Sequence, residues 1–307
     1  MKKILPCVFI TLALILAGSF LPVTGLVGIL LSPLPLCVLG CLEGHKTMSI
    51  AELLIEASLF IMISPMMAVY FLVGAAPVSA FIFMLSREEF KHVKKYSGPE
   101  SLLIIVGVSI ISKLILLLIF WFVTGKNILF PDLSQMNEII AELYKGQPEL
   151  QEALKQALEF IPYLMPSMLV IYSIIEAFLN YSLCGKFAKR ISPQVKHFPP
   201  ELPEFKLWRF PVSLIFALVF AAVFRHFVNT DEYFEVSAFV MNLQIVIDAL
   251  MFVNGLALVF WLMSGFKFRK ASKVFTCIIL SIPFFWPFLM VMGMGDSAMN
   301  FRERIKF

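Results

Sequence analysis

The chain has 307 residues, of which 60% are hydrophobic and 15% charged, and its mean hydropathy is +0.88. Soluble domains have about 45–50% apolar and about 25% charged residues, so this composition excludes an ordinary soluble protein. The net charge of +4 comes from basic residues that flank apolar runs. That placement indicates orientation signals in a membrane protein rather than nucleic-acid binding.

The apolar runs predict an all-α, polytopic transmembrane bundle of eight or nine helices in a single membrane domain, residues 1–307. A crossing needs about 20 apolar residues. Lys2 and Lys3 precede the first run as in a signal peptide, but a second run follows at once, so we expect an uncleaved span. The predicted spans cover about residues 4–20, 23–42, 49–63, 66–85, 102–123, 160–184, 210–228, 235–263 and 274–292.

Prolines interrupt the second span, where Ser32-Pro33-Leu34-Pro35 must break or kink the helix. A broken helix is tolerated in a membrane only where protein or water satisfies the freed backbone groups. Such a break can build a ligand site or serve only as a kink.

The longest polar segment, residues 126–158, has apolar residues at helical spacing on both sides of Gly146 and Pro148. This pattern predicts two short amphipathic helices that lie on the outer membrane surface or cap the bundle. A lid over a site is the alternative.

The basic residues predict a cytoplasmic N-terminus, because that orientation places the basic loops around residues 87–95, 186–209 and 267–273 inside. Nine crossings would leave the basic tail, with Arg302, Arg304 and Lys306, outside. The run 274–292 is therefore re-entrant, or the number of crossings is eight.

Three ionisable residues lie deep in the predicted spans: Lys113, Glu176 and Asp248. Charged groups at this depth are costly, and they mark solute or proton pathways unless they form static pairs. We expect Lys113 to pair with Asp248 or Glu176. Polar residues at helical spacing accompany both carboxylates, so the candidate substrate-binding set is Lys113, Glu176, Asn180, Gln244 and Asp248.

Motifs of common enzyme classes are absent from the sequence: it has no Walker A, HExxH or GxSxG pattern. We therefore expect no enzymatic activity, no catalytic residues and no cofactor. The five cysteines form no CxxC pair, and the close pair Cys37 and Cys41 has no His or further Cys at metal-ligand spacing. We interpret the cysteines as small apolar residues and expect no metal site.

Several short motifs resemble those of the YybS-like family of uncharacterised bacterial inner-membrane proteins. They are Ser32-Pro33-Leu34-Pro35, a span that begins Ile161-Pro162 and ends Asn180-Tyr181, the loop Pro199-Pro200-Glu201-Leu202-Pro203 with Trp208-Arg209-Phe210-Pro211, and the closing Gly295-Asp296 with Phe301-Arg302. The resemblance implies a multi-pass protein of the bacterial plasma (inner) membrane.

That family is distantly similar to the substrate-binding subunits of energy-coupling-factor transporters. In those subunits an AxxxA step in the first helix contacts the coupling subunit, and Ala13 and Ala17 stand at the matching place. The resemblance implies a separate ATP-hydrolysing module as a partner. The spans near the C-terminus of this chain depart from the six-helix pattern of such subunits.

The leading functional hypothesis is a small-molecule transporter or its membrane-embedded substrate-binding component. The alternative is a non-transporting scaffold that recruits cytosolic or envelope proteins through residues 186–209 and 126–158. The lipid bilayer is the one partner that the composition itself implies; the sequence points to no nucleic acid and leaves the oligomeric state open.

Overall fold

The computed structural model describes residues 3–20, 22–87, 96–125, 133–194, 198–227, 234–266 and 268–305. These residues form helices and connecting segments without a strand, which confirms the all-α class for this part of the chain. The charges expected at Lys2, Lys126 and Lys306 lie outside the described residues.

The helices follow each other closely in chain order. They are α1 (Ile4–Phe20), α2 (Pro22–Leu31), α3 (Leu34–Glu43), α4 (His45–Met62), α5 (Pro65–Val69), a π-helix (Tyr70–Ala75), α6 (Ala76–Ser86), α7 (Gly98–Thr124), α8 (Ser134–Leu143), α9 (Pro148–Ile191), a 3-10 helix (Phe205–Leu207), α10 (Ser213–Phe227), α11 (Phe234–Gly265), α12 (Lys270–Leu280), a 3-10 helix (Pro283–Phe285), α13 (Trp286–Met299) and α14 (Phe301–Arg304).

Within these ranges, five helical stretches are long and apolar enough to cross a membrane. They are Gly25–Glu43, Pro65–Ser86, Gly98–Thr124, Pro148–Ile191 and Val236–Gly265. The pair α12 and α13 makes a sixth if it counts as one span, but it is bent by 85°. Two shorter apolar helices, Ile4–Ser19 and Ser213–Phe224, add to this set.

The chain forms two compact units: residues 1–131 with 172–202, and residues 132–171 with 203–307. In the first unit, α1, α3, α4 and the α5–α6 segment surround one apolar core, which includes Ile15, Ile55 and Phe71. A second core in the same unit joins α3, α6, α7 and the last part of α9.

The proline break between α2 and α3 is a satisfied kink. The amide nitrogen of Asn180 donates to the carbonyl oxygen of Leu30 at 2.7 Å, and the hydroxyl of Ser79 donates to the carbonyl oxygen of Pro33 at 2.7 Å. Pro33 and Pro35 have no N–H to offer to the preceding turn. Side chains from α9 and α6 thus occupy carbonyl groups at the break, as burial in a membrane requires.

Helix α9 runs without a break through 44 residues, whereas the sequence predicted an amphipathic helix up to residue 158 and a separate span from 160. Pro162 and Pro166 lie inside the helix. The amide group of Asn242 donates to the carbonyl oxygen of Tyr163 at 2.6 Å and accepts from the N–H of Ser167 at 2.8 Å. A regular helix would join these two backbone groups to each other, so Asn242 from α11 supports the helix beside its prolines.

In the second unit, α11 and α13 approach until their backbones touch. A Cβ atom on Gly255 would lie 2.0 Å from the carbonyl oxygen of Leu289, and one on Gly293 would lie 2.0 Å from that of Met251. The amide of Asn254 donates to the carbonyl oxygen of Gly293 at 2.7 Å and to the hydroxyl of Ser297 at 2.9 Å. This is the small-residue packing with polar cross-links that is typical of membrane helices.

The closing segment of the chain packs on the loop after α9. Arg302 donates to the carbonyl oxygen of Lys206 at 2.5 Å, and its Nη2 lies 2.9 Å from Oδ2 of the buried Asp296. Arg209 and Glu303 form a longer ion pair at 3.5 Å. The tail and the basic loop therefore lie on the same side of the second unit.

Candidate functional site

A buried ion pair lies between α7 and α9 in the first unit. Nζ of Lys113 is 2.5 Å from Oε2 of Glu176, and the exposed fractions of the two side chains are 8% and 0%. The hydroxyl of Ser109 donates to the same carboxylate oxygen at 2.6 Å, and Lys113 also donates to that hydroxyl at 3.1 Å. The lysine, the serine and the carboxylate thus form a closed triangle of hydrogen bonds.

Helical spacing explains how α7 supplies two members of the triangle. Ser101, Ile105, Ser109, Ser112 and Lys113 are buried on one side of the helix. Ser109 stands one turn before Lys113, where side chains of the same helix meet. Small hydroxyl side chains leave the space in which the long lysine side chain bends back.

The π-helix completes the lysine's environment, because Lys113 donates to the carbonyl oxygen of Gly74 at 3.3 Å. A π-helical turn interrupts the regular ladder of backbone hydrogen bonds, and such turns are frequent at functional sites. At Gly74 an added Cβ would lie 3.3 Å from the Leu116 side chain, so a larger residue would crowd the contact between the π-helix and α7.

Two tyrosines border the ion pair. The ammonium of Lys113 lies 5.2 Å from the ring centroid of Tyr172, within the range of a cation–π contact. The hydroxyl groups of Tyr172 and Tyr70 are 3.5 Å apart. A cation in this site thus meets an aromatic face as well as a carboxylate.

Hydrogen-bonding capacity remains unused at the site. Among the described residues, Oε1 of Glu176 and the hydroxyl of Ser173 are buried without a hydrogen-bond partner. A buried, unsatisfied carboxylate oxygen is costly, and each such case in a folded protein calls for an explanation. This oxygen can accept a proton or a hydrogen bond from a small polar or cationic solute.

The other predicted site residues lie elsewhere or have a structural role. Asn180 is buried and its amide holds the α2–α3 break, through Leu30, and the carbonyl oxygen of Glu176. Gln244 and Asp248 belong to the second unit and are half-buried on α11. No hydrogen bond or ion pair joins Asp248 to any described residue, so of the two expected partners of Lys113 the structure pairs it with Glu176.

The AxxxA step on α1 is partly accessible. Ala13 is exposed and Ala17 is half-buried. The close contact between α1 and α2 uses glycines instead: a Cβ on Gly25 would lie 2.6 Å from the carbonyl oxygen of Gly18, and one on Gly28 would lie 2.4 Å from that of Leu14. The face with Ala13 is therefore not used for the packing of α1 on α2.

Sequence reasoning missed Ser109, Gly74 and Tyr70 as neighbours of the ion pair. The position of Ser109, four residues before Lys113, was an available signal, because such residues share a helix face. The contacts of Gly74 and Tyr70 depend on how the π-helix packs, which no local pattern in the sequence reveals.

Comparisons with known proteins give a family and one curated relative. The model of a family described as "Predicted membrane protein (DUF2232)" matches residues 9–297. The chain is 25% identical over 163 residues to "Uncharacterized protein YybS" of Bacillus subtilis (strain 168), and the match covers 52% of this chain and 51% of that protein. The chain thus matches about half the length of this relative. No solved structure is significantly similar to it.

Proposed function

The chain belongs to the DUF2232 family of predicted membrane proteins and is a multi-pass bacterial membrane protein; from this premise we propose that it is a small-molecule transporter or the membrane-embedded substrate-binding component of one. The buried pair Lys113–Glu176 is the proposed solute site. It binds the polar or charged group of a small cationic or zwitterionic solute, or relays a proton.

One observation carries this proposal: a deeply buried carboxylate keeps one oxygen without a partner beside its ion pair. A pair that served stability alone would gain from full satisfaction, since breaking or undersatisfying buried charges costs several kcal/mol. Intramembrane charges that face other helices are functional candidates by default. The aromatic rings of Tyr70 and Tyr172 suit the binding of a cationic group.

Energy for transport comes from elsewhere in this proposal, because the sequence carries no ATPase motif and we expect no enzymatic activity or cofactor. A separate ATP-hydrolysing module is one source, and the exposed face of α1 at Ala13 is its proposed contact. An ion gradient that acts through Glu176 or Asp248 is the other.

The site is tested by a thermal-shift screen of the purified protein against vitamins, amino acids and metal ions. A bound solute stabilises the folded state in proportion to the logarithm of its concentration. We expect one solute class to raise the Tm of the native chain and to lose this effect in Glu176→Gln. If no solute shifts the Tm and a stoichiometric protein partner co-purifies, the scaffold alternative is correct.

We also propose a topology of eight crossings with both termini in the cytoplasm. The contacts of Arg302 with Lys206 and of Arg209 with Glu303 support it, because they place the basic tail beside a basic loop. The bent pair α12–α13 is then re-entrant. This arrangement moves Arg302, Arg304 and Lys306 inside, as the positive-inside rule prefers, and leaves the segment 126–158 outside.

A further inference from the structure

Three cysteines that are far apart in the sequence meet in the first unit. Cys37 and Cys41 lie one turn apart on α3, and Cys184 comes from α9. Their sulfur atoms all lie within 4.8 Å of one another, and Sγ of Cys41 is 3.7 Å from Sγ of Cys184. All three side chains are buried, and all are free thiols.

The spacing of the three sulfur atoms matches a trigonal metal site. With metal–sulfur bonds of about 2.3 Å, the sulfurs of a planar three-coordinate site lie about 4 Å apart. The observed distances therefore need shifts of less than about 1 Å. Small apolar packing alone would not require that two helices bring three sulfurs to one point.

The ligand set selects the metal by chemistry. Thiolates are soft ligands that favour Cu(I), zinc and iron–sulfur clusters. Structural zinc and iron–sulfur clusters take four ligands per metal or cluster, whereas among the described residues the group comprises these three thiols only. Cu(I) is stable with three sulfur ligands. The hydroxyl of Ser86, which lies 3.9 Å from Sγ of Cys41, is a hard oxygen and not a ligand that Cu(I) prefers.

We propose that Cys37, Cys41 and Cys184 form a binding site for Cu(I) that joins α3 to α9. Each thiol that coordinates the ion releases its proton to solvent, so binding is favoured by rising pH. The ion cross-links two helices that meet in the same apolar core, where Val38, Ile82 and Ala188 surround the thiols. Because it holds the folded unit together, it raises the Tm of the protein.

The experiment is a Cu(I) titration of the full chain, purified in detergent under anaerobic, reducing conditions, against a chromophoric Cu(I) chelator. We expect one Cu(I) ion per chain to resist the chelator. Cys37→Ser, Cys41→Ser and Cys184→Ser each weaken binding at least tenfold. Cys7→Ser and Cys277→Ser are the matched controls, because those cysteines lie outside the group, and both keep native affinity.

A measurement on the native protein keeps the proposal testable if a variant does not fold. Copper K-edge absorption of the loaded protein then shows three sulfur ligands and no nitrogen ligand. The proposal is overturned if the chelator removes all copper from the native chain, if copper remains bound in all three site variants, or if zinc is retained in preference. An intact mass that shows a disulfide in protein taken directly from cells also overturns it.

Discussion

At the scale of single residues, the energetics of the Lys113–Glu176 pair depend on the partner left behind. Both side chains are buried, so removal of one charge leaves the other without compensation in a medium of low polarity. Removal of both charges leaves no such penalty. Replacement of a buried pair by apolar groups is often neutral or stabilising.

We predict that Lys113→Met lowers the free energy of unfolding by about 3–5 kcal/mol, because Glu176 then remains as an unpaired buried carboxylate. Thermal denaturation in detergent, followed by circular dichroism, measures the loss. Equal stability of Lys113→Met and the native chain would show that the pair is not buried as described.

The exposed pair Lys189–Glu201 provides the matched control. The hydrogen bond and the positive charge of Lys189 lower the pKa of the Glu201 carboxyl, but the side chain of Glu201 is 80% exposed. Exposed ion pairs contribute little. We expect Glu201→Gln to leave the Tm nearly unchanged in the same assay, and a loss as large as that of Lys113→Met would undermine the distinction between the two pairs.

Sequence reasoning located both ends of the buried pair, because a charge in the middle of an apolar run is conspicuous. It left Asp248 and Glu176 as equal partners for Lys113, since the choice depends on which helices pack together. It also could not group Cys184 with Cys37 and Cys41, because the spacing along the chain contains no trace of the contact between α3 and α9.

At the scale of helices, glycines decide how closely α11 and α13 pack. Any side chain at Gly255 or Gly293 would collide with a backbone carbonyl of the other helix at 2.0 Å. A carbonyl oxygen cannot rotate away as a flexible side chain can, so the two helices must separate. The sequence analysis placed Gly255 on a face of the predicted span but had no means to identify its contact.

We predict that Gly255→Ala and Gly293→Ala each destabilise the protein by about 1–3 kcal/mol or more, as overpacking does in a close-packed interior. Thermal denaturation of each variant measures the effect. Gly107→Ala is the control, because an added Cβ at Gly107 meets no atom within 4 Å and alanine favours a helix. The packing described for Gly255 is incorrect if both substitutions are neutral.

Helix α9 shows why a boundary read from proline alone is unreliable. Pro162 and Pro166 predicted the start of a new span, yet the helix continues because Asn242 binds the backbone groups of Tyr163 and Ser167. We predict that Asn242→Leu, of similar size, destabilises the protein by about 1–3 kcal/mol, the cost of unsatisfied buried polar groups. Hydrogen exchange measured by mass spectrometry should rise around residues 160–170; unchanged exchange there would contradict this role.

At the scale of the whole molecule, the sequence gave the class and the approximate positions of most helices, because runs of apolar residues are a strong signal in membranes. It left the tail unresolved, since charge counting cannot distinguish a crossing from a re-entrant pair. The 85° bend between α12 and α13 and the contacts of Arg302 supply the missing information.

We predict that reporters fused after residue 307 and within residues 186–209 both report the cytoplasm. A reporter inserted near residue 146, in the segment between α8 and α9, reports the outside. Paired alkaline phosphatase and green fluorescent protein fusions, whose activities require opposite compartments, make this measurement. An external C-terminus would contradict the eight-crossing topology and favour nine spans.

The central claim is that the buried pair handles a solute rather than only fixing the helices. The double variant Lys113→Met/Glu176→Gln separates the two roles, because it removes both charges without leaving one unpaired. The most direct measurement compares its Tm, and the Tm shift caused by the solute found in the screen, with those of the native chain. The account predicts a variant about as stable as the native protein that no longer responds to the solute, whereas a variant that keeps the full ligand-induced shift would contradict it.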